Sequence, residues 1–221
     1  MASSARSLEP RTRPDYVVAH FPASRPKRYR KGQEIYGPRD RSRTIYLVVA
    51  GKVGISHIAG DGSQVLLEIV RPNELFGELA CLDAPPLSEK ATAIEEAKLM
   101  TWGISDMEDL VVQRPRLALA LLQVLAQRNV ELTRRIESFA IDTIERRLAR
   151  SLIHLAERLG TPEEDGAVKM MPLTHEMLSH YIGTAREVVT LHMNRFRKQG
   201  YVDYSRRGML LHGDALKASI S

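Results

Sequence analysis

Short runs of hydrophobic residues, some alternating with polar ones, fill the first half of the chain and predict β-strands. The strands are predicted at residues 44–49, 51–58, 65–70, 91–94 and 97–102. Residues 60–62, Gly-Asp-Gly, stand between two of these runs and are typical of a hairpin turn. Many short strands at this spacing favour a β-barrel or jelly roll.

The period of the pattern changes after Ser105, and Pro115 opens a segment without internal Gly or Pro that predicts one long helix. Written in heptads, its apolar residues form a narrow stripe typical of a two-stranded coiled coil, in which a single asparagine at an a position sets the register. The alternative is an amphipathic helix packed on its own barrel. The dimer interface is predicted at Leu122, Leu125, Asn129, Leu132, Ile136 and Phe139.

Residues 173–200 predict two short helices joined by a glycine-bearing turn at Gly183. Thr174 is the predicted N-cap of the first helix, and Thr184 is predicted to cap the second, with Glu187 completing a capping box. Gly200 is predicted to end the second helix. This is the pattern of a helix-turn-helix, whose second helix presents its first residues to base edges.

A basic hairpin is predicted after these helices. Two short segments, 201–204 and 209–212, flank Ser-Arg-Arg-Gly at 205–208, which is typical of a wing. A further helix is predicted at 143–159 and an acidic loop at 160–166, so the second domain is predicted to be a winged helix.

The order of these elements predicts an α+β protein. It comprises an N-terminal double-stranded β-helix or jelly-roll barrel, a long central dimerisation helix and a C-terminal winged helix-turn-helix. The predicted boundaries are 1–23 for a flexible basic extension, 24–113 for the barrel, 114–140 for the dimerisation helix and 141–221 for the winged helix.

Composition changes this picture little. The formal charge of +5 suits a polyanionic partner, but residues 1–31 hold eight Lys or Arg against two acids, so the rest of the chain is nearly neutral. Cys81 is the single cysteine, which excludes an intrachain disulfide. No signal-peptide pattern and no apolar run of about 20 residues is present, so a cytoplasmic protein without a membrane partner is predicted.

Four segments carry a resemblance to a known family. Residues 31–36 and 45–53 resemble the opening of a cyclic-nucleotide-binding barrel, 72–79 resembles its phosphate-binding cassette, and 184–189 resembles a recognition helix. In this order the segments resemble the Crp–Fnr superfamily of bacterial transcription regulators. The resemblance implies a homodimer that binds a pseudo-palindromic promoter site and contacts RNA polymerase.

The resemblance implies that Arg186 and Glu187 read a half-site containing G·C pairs. Arginine pairs with guanine O6 and N7, and glutamate accepts from cytosine N4. The alternative for Glu187 is that its carboxylate only closes the capping box. The family's third base reader, often arginine, aligns with Leu191, for which contact with a thymine methyl is one alternative.

Other DNA contacts are expected at phosphates. The hydroxyl and backbone N–H groups at the two helix starts are expected to hold phosphates, although His175 is equally consistent with a surface histidine. The wing arginines are expected to follow a phosphate strand. The full predicted set is Thr174, His175, Thr184, Ala185, Arg186, Glu187, Thr190, Arg206 and Arg207.

The predicted effector pocket departs from the pattern of family members that bind cyclic AMP. Those members place Arg-Ser eleven residues after a Gly-Glu pair, whereas Gly77-Glu78 is followed here by Glu89-Lys90. A glutamate there repels phosphate, and a lysine lacks the guanidinium fork. Leu132 and Thr133 stand where the resemblance implies polar contacts with adenine. Cyclic AMP is therefore a doubtful ligand and the effector is unknown; the alternative is a cyclic-AMP-dependent activator with an atypical phosphate site.

Other functional classes find little support. No HExxH, P-loop or GxSxG motif is present, so no enzyme activity, catalytic residue, metal site or cofactor is predicted. Two alternatives stay open. One is a regulatory module that controls a partner protein, and the other is an architectural protein that binds DNA nonspecifically through its basic N-terminus.

Overall fold

A computed structural model describes residues 21–22, 25–38, 40, 43–82 and 88–220. The described residues form two compact units, one within 21–60 and 67–131 and the other within 61–66 and 132–220. Nearly all of the predicted extension, residues 1–20 and 23, lies outside the described part of the chain.

The described strands of the barrel form two four-stranded sheets. The strands are β1 (Lys27–Tyr29), β2 (Glu34–Tyr36), β3 (Thr44–Ala50), β4 (Val53–Ile58), β5 (Gln64–Val70), β6 (Leu75–Phe76), β7 (Glu89–Ala93) and β8 (Ala97–Gly103). One sheet has the order β1-β8-β3-β6 and the other β2-β7-β4-β5. Their shared core buries Val48, Val53 and Leu99 completely. The predicted jelly-roll barrel is therefore confirmed.

A second apolar cluster forms around Trp102, where β8 leads into helix α1 (Ile104–Gln113). Phe21 packs here, with its ring 4.6 Å from the ring of Trp102. Phe21 was predicted to belong to the flexible extension. That assignment is wrong for this residue, because an aromatic ring gains stability from burial against the barrel.

The predicted long helix is α2 (Pro115–Ile141), an unbroken helix of 27 residues. Its first turns pack on the cluster around Trp102 through the buried side chains of Leu117 and Ala120. No helix in the described part of the chain is both long and apolar enough to cross a membrane.

The second unit is built from helices around a small sheet. Its elements after α2 are α3 (Ile144–Leu159), β9 (Thr161–Pro162), β10 (Val168–Met170), α4 (His175–Ile182), α5 (Arg186–Lys198), β11 (Val202–Ser205), β12 (Gly208–Leu211) and α6 (Gly213–Ser219). The sheet order is β11-β12-β10-β9. The prediction of one acidic loop at 160–166 is wrong in part, because β9 lies within it and pairs with β10.

Candidate DNA-binding surface and barrel pocket

Helices α4 and α5 meet at a tight turn, and α4 is bounded by a cap and a glycine that involve only nearby residues. The Thr174 hydroxyl oxygen accepts a hydrogen bond of 3.0 Å from the backbone N–H of Met177, so Thr174 is the N-cap of α4 as predicted. Gly183 ends α4 in the left-handed conformation, with φ of 66°. Since side chains other than glycine are strained there, Gly183 suits this turn.

The predicted capping box at the start of α5 is wrong. Helix α5 begins at Arg186 with Ala185 as its N-cap, and no side chain caps it. The backbone N–H of Thr184 donates instead to the carbonyl oxygen of Ser179 at 3.1 Å, which closes α4 and keeps Thr184 ahead of the new helix. The carboxylate of Glu187 is consequently exposed rather than held in a box.

Helix α5 has one buried face and one exposed face. Val189, Met193 and Phe196 are at most 1% exposed and form the domain core. Arg186 and Glu187 lie in the first turn with both side chains exposed to solvent. The start of α5 therefore presents a cation and an anion side by side, together with the free N–H groups of a helix N-terminus.

His175 and Thr190 are each partly buried and contact each other. The Thr190 hydroxyl donates to the carbonyl oxygen of Arg186 at 2.9 Å and lies 2.9 Å from Nδ1 of His175. The imidazole also packs edge-on against the ring of Tyr204, at 5.2 Å between centroids. Burial, and then the charge of Arg186, lower the pKa of His175. The imidazole therefore links α4 to α5.

The basic hairpin follows α5 as predicted, with β11 and β12 each one residue away from the predicted bounds. Arg206 and Arg207 are exposed at its tip. Polar side chains hold the hairpin on α5. The Tyr204 hydroxyl donates to Oδ1 of Asn194 at 3.0 Å, and Arg197 lies 3.1 Å from Asp203.

In the barrel, a guanidinium from α2 is bound by acidic side chains. Nη1 of Arg128 lies 2.6 Å from Oε1 of Glu78, and its Nε lies 3.2 Å from Oε2 of Glu68. Nη2 of Arg128 also donates to the carbonyl oxygen of Leu75. Burial disfavours the charge, but Glu68 and Glu78 outweigh it and raise the pKa of Arg128.

Glu89 and Lys90 each have a partner within the barrel. The Tyr36 hydroxyl donates to Oε1 of Glu89 at 2.5 Å, and Nζ of Lys90 lies 3.1 Å from Oε2 of Glu34. Burial is the main cause that raises the pKa of Glu89, although the bond from Tyr36 opposes it. The same region therefore holds a desolvated carboxyl group and a lysine that is already paired.

Two families match the two halves of the chain. The cyclic nucleotide-binding domain matches residues 26–114, and the Crp-like helix-turn-helix domain matches residues 146–219. The transcriptional regulator SdrP of Thermus thermophilus is 32% identical over 168 residues, which cover 75% of this chain and 76% of that protein. The chain belongs to the Crp–Fnr family.

Two further similarities extend over most of the chain. The CRP-like cAMP-activated global transcriptional regulator of Mycobacterium tuberculosis is 28% identical over 199 residues, which cover 90% of this chain and 88% of that one. The structure of a CooA mutant from Carboxydothermus hydrogenoformans has the same fold, with a TM-score of 0.73 and 24% identity over 93% of this chain and 90% of that one. As a Crp–Fnr protein, the chain is a DNA-binding transcription regulator.

The predicted pocket residues of this Crp–Fnr protein differ in their surroundings and in their roles in the fold. Gly77, with φ of 86°, begins the turn before Glu78, and a Cβ atom there would lie 2.7 Å from the carbonyl oxygen of Thr44. Gly77 is therefore explained by the fold alone. Among the causes that shift the pKa of Glu89, after burial and the hydrogen bond from Tyr36, is the negative charge of Glu78, which raises it, whereas the charge of Arg128 lowers it. Thr133 is an exposed residue of the second unit.

Arg128 was missed by the sequence analysis, although it is the basic residue nearest Glu78. It stands beside the apolar stripe of α2, where charged residues usually face solvent. A single sequence offers no signal that separates it from the other arginines of that helix. Its role emerges because the barrel brings Glu68 and Glu78, from separate strands and turns, to the same guanidinium.

The predicted dimer stripe of α2 is largely exposed. The stripe leaves exposed Leu122, Leu125, Leu132, Ile136 and Phe139. Outside the stripe, α2 also exposes Leu119, Val130 and Ile141. The alternative of a helix packed on its own barrel therefore describes only the start of α2, around Leu117. Such a row of exposed apolar residues is typical of an interaction surface.

Phe139, a predicted d position of the coiled coil, also packs against two arginines of its own chain. The guanidinium of Arg147 lies 4.5 Å from the centre of its ring, and that of Arg135 lies at 5.8 Å. Arg135 and Arg147 also donate to the carbonyl oxygens of Tyr181 and Ile182, respectively. We call Arg135, Phe139 and Arg147 the Phe139 cluster; it caps the C-terminal end of α4.

Gly183 offers a test of the Phe139 cluster. Gly183→Ala places a Cβ atom 3.0 Å from Cε1 of Phe139, whereas Gly200→Ala, with a similar φ of 76°, meets no atom within 4 Å. Both variants are expected to lose about 1–2 kcal/mol of stability through left-handed strain. Gly183→Ala is expected to lose about 0.5–1 kcal/mol more, because the ring must move away from Arg147.

Urea unfolding followed by circular dichroism measures this difference. Repeating both substitutions in a Phe139→Ala background is expected to make the two losses equal, since the obstructing ring is gone. Equal losses in the wild-type background would contradict the proposed role of the cluster.

Proposed function

We propose that this Crp–Fnr regulator acts as a homodimer on a pseudo-palindromic promoter site and does not use cyclic AMP in the usual way. The exposed start of α5 is the main support for sequence-specific DNA binding. Arg186 and Glu187 are exposed at the N-terminus of the helix that a helix-turn-helix inserts in the major groove. Arginine suits guanine and glutamate suits cytosine.

Phosphate contacts would position this helix. The Thr174 hydroxyl uses its oxygen as a cap acceptor, so its O–H remains a donor for a phosphate. The N–H groups near Ala185, at the uncapped start of α5, are suited to the same role. Arg206 and Arg207 add two exposed charges at the wing. The imidazole of His175 and the hydroxyl of Thr190 are engaged with each other, so their contribution would be structural.

The exposed stripe of α2 supports the dimer. A parallel pair of such helices buries leucine and isoleucine side chains at alternating positions, and it relates two recognition helices by a twofold axis. In a helix-turn-helix dimer the half-site centres lie about 34 Å apart, or one DNA turn. Contact with RNA polymerase is proposed from the family alone.

The charges of the barrel support independence from cyclic AMP. Arg128 is paired with Glu68 and Glu78, and Glu89 interacts electrostatically with all three, so carboxylates outnumber this guanidinium where a cyclic phosphate needs positive charge. Lys90 is paired with Glu34. A different effector, or none, fits these residues better. The alternative is an activator with an atypical phosphate site, which the similarity to the cAMP-activated mycobacterial regulator favours.

Selection from random DNA by the full-length protein, followed by gel shifts, tests the DNA-binding proposal. Recovery of a palindromic consensus with half-sites about one DNA turn apart is the expected result. Binding that has no sequence preference and falls steeply with salt would instead indicate an architectural protein.

Calorimetry tests the proposal about the effector. We expect no submicromolar binding of cyclic AMP to the wild-type protein, because Glu89 opposes the phosphate. The double variant Glu89→Arg with Lys90→Ser is expected to bind at least about tenfold more tightly, since it exchanges a carboxylate for a guanidinium fork. Lys90→Ser alone is the matched control and should bring no gain. Submicromolar binding to the wild type would contradict the proposal.

A further inference from the structure

We propose that Leu191 determines specificity by contacting the C5-methyl group of a thymine in each half-site. This inference rests on the proposed DNA-reading function and names a base that the function would recognise. Leu191 lies on α5, one helical turn after Glu187, on the exposed side of the helix. It therefore continues the face that Arg186 and Glu187 begin.

The exposure of Leu191 is exceptional within its domain. Its side chain is 67% exposed, and no other large hydrophobic residue of the described range 142–220 is exposed. Isolated exposed leucines are ordinary on protein surfaces. This one stands on the helix face proposed to enter the major groove, however, where a polar residue would be the usual choice for hydrogen bonding to bases.

The adjacent threonine does not compete with Leu191 for base contacts. The Thr190 hydroxyl donates to the carbonyl oxygen of Arg186 at 2.9 Å, and its oxygen faces Nδ1 of His175 at 2.9 Å. Both bonds hold the hydroxyl within the domain. Leu191 is consequently the residue at this level of α5 that is free to reach a base.

The chemistry of leucine selects one base. Its side chain has no donor or acceptor, so it cannot read guanine O6 or N7, adenine N6 or cytosine N4. The thymine methyl is the apolar group on the major-groove edge of the four bases. Burying one methyl group against leucine is expected to change affinity by about threefold to fivefold.

Uracil replaces thymine with the loss of only this methyl group, and it provides the test. In the sequence that the wild-type protein selects from random DNA, each thymine of a half-site is replaced singly by uracil. At one position the wild type is expected to bind the uracil duplex about threefold to fivefold more weakly. Leu191→Ala, an exposed substitution, is expected to bind both duplexes equally.

Arg207→Ala is the matched control, since this wing variant should bind both duplexes more weakly and keep their ratio. Equal binding of the wild type to thymine and uracil duplexes at every position would overturn the inference, as would a half-site without thymine. Discrimination that persists in Leu191→Ala would overturn it too. Failure of the wild type to select any sequence would instead overturn the proposed DNA-reading function, and this inference with it.

Discussion

Arg186→Ala is expected to weaken binding to the selected site by about 5- to 150-fold, which corresponds to about 1–3 kcal/mol. The exposed guanidinium lies in the first turn of α5, and truncation would remove the proposed bidentate contact with guanine. The variant should also tolerate other base pairs at one position of each half-site. Gel shifts with the consensus and its single-base variants measure both effects.

The wing provides the comparison for Arg186. Arg207→Ala removes a charge that is proposed to contact phosphate, so it should weaken binding to all sequences about equally. The slope of the logarithm of the binding constant against the logarithm of salt concentration should become shallower by about one. An unchanged footprint and affinity in Arg186→Ala would refute its role as a base reader. A uniform loss across all sequences would assign it to phosphate contact instead.

A double substitution in the stripe of α2, Leu122→Glu with Leu125→Glu, is expected to separate the dimer. Both leucines are exposed in the single chain, and pairing two helices would bring four carboxylates into an apolar interface. Sedimentation at micromolar concentration should change from dimer to monomer. Affinity for the palindrome should fall by about 100-fold or more, because two linked half-sites become two independent ones.

Val112→Glu is the matched control for the stripe. Val112 is 79% exposed on α1, outside the stripe, so a glutamate there should leave both the oligomeric state and DNA affinity unchanged. A double variant that still sediments as a dimer would rule out the stripe of α2 as the interface.

The elements that the sequence predicted well depend on neighbouring residues. Helix α2 was predicted from an apolar period without Gly or Pro, and the structure confirms it from Pro115 to Ile141. Helix α4 was predicted from Thr174 and Gly183, which cap and end the helix through contacts with residues nearby in the chain. Such local preferences can be predicted from a single sequence, because the groups that interact are close along the chain.

The errors occurred where hydrogen bonds form outside the pattern that was read. Strand β9 lies within the predicted loop 160–166 and pairs with β10, which pairs in turn with β12 about forty residues later. Thr184 fits a cap pattern, yet its backbone N–H donates to the carbonyl oxygen of Ser179, five residues earlier. His175 and Thr190, fifteen residues apart, become partners only when α4 and α5 pack together.

Local periodicity and turn chemistry were sufficient to predict the jelly-roll barrel, the long helix, the winged helix and the charged start of α5. The tertiary structure alone decided that Arg128 meets Glu68 and Glu78, and that the Phe139 cluster caps α4. It also decided that Thr190 is engaged and Leu191 is exposed. Charge pairing and burial depend on distances in space, and only the packed chain defines those distances.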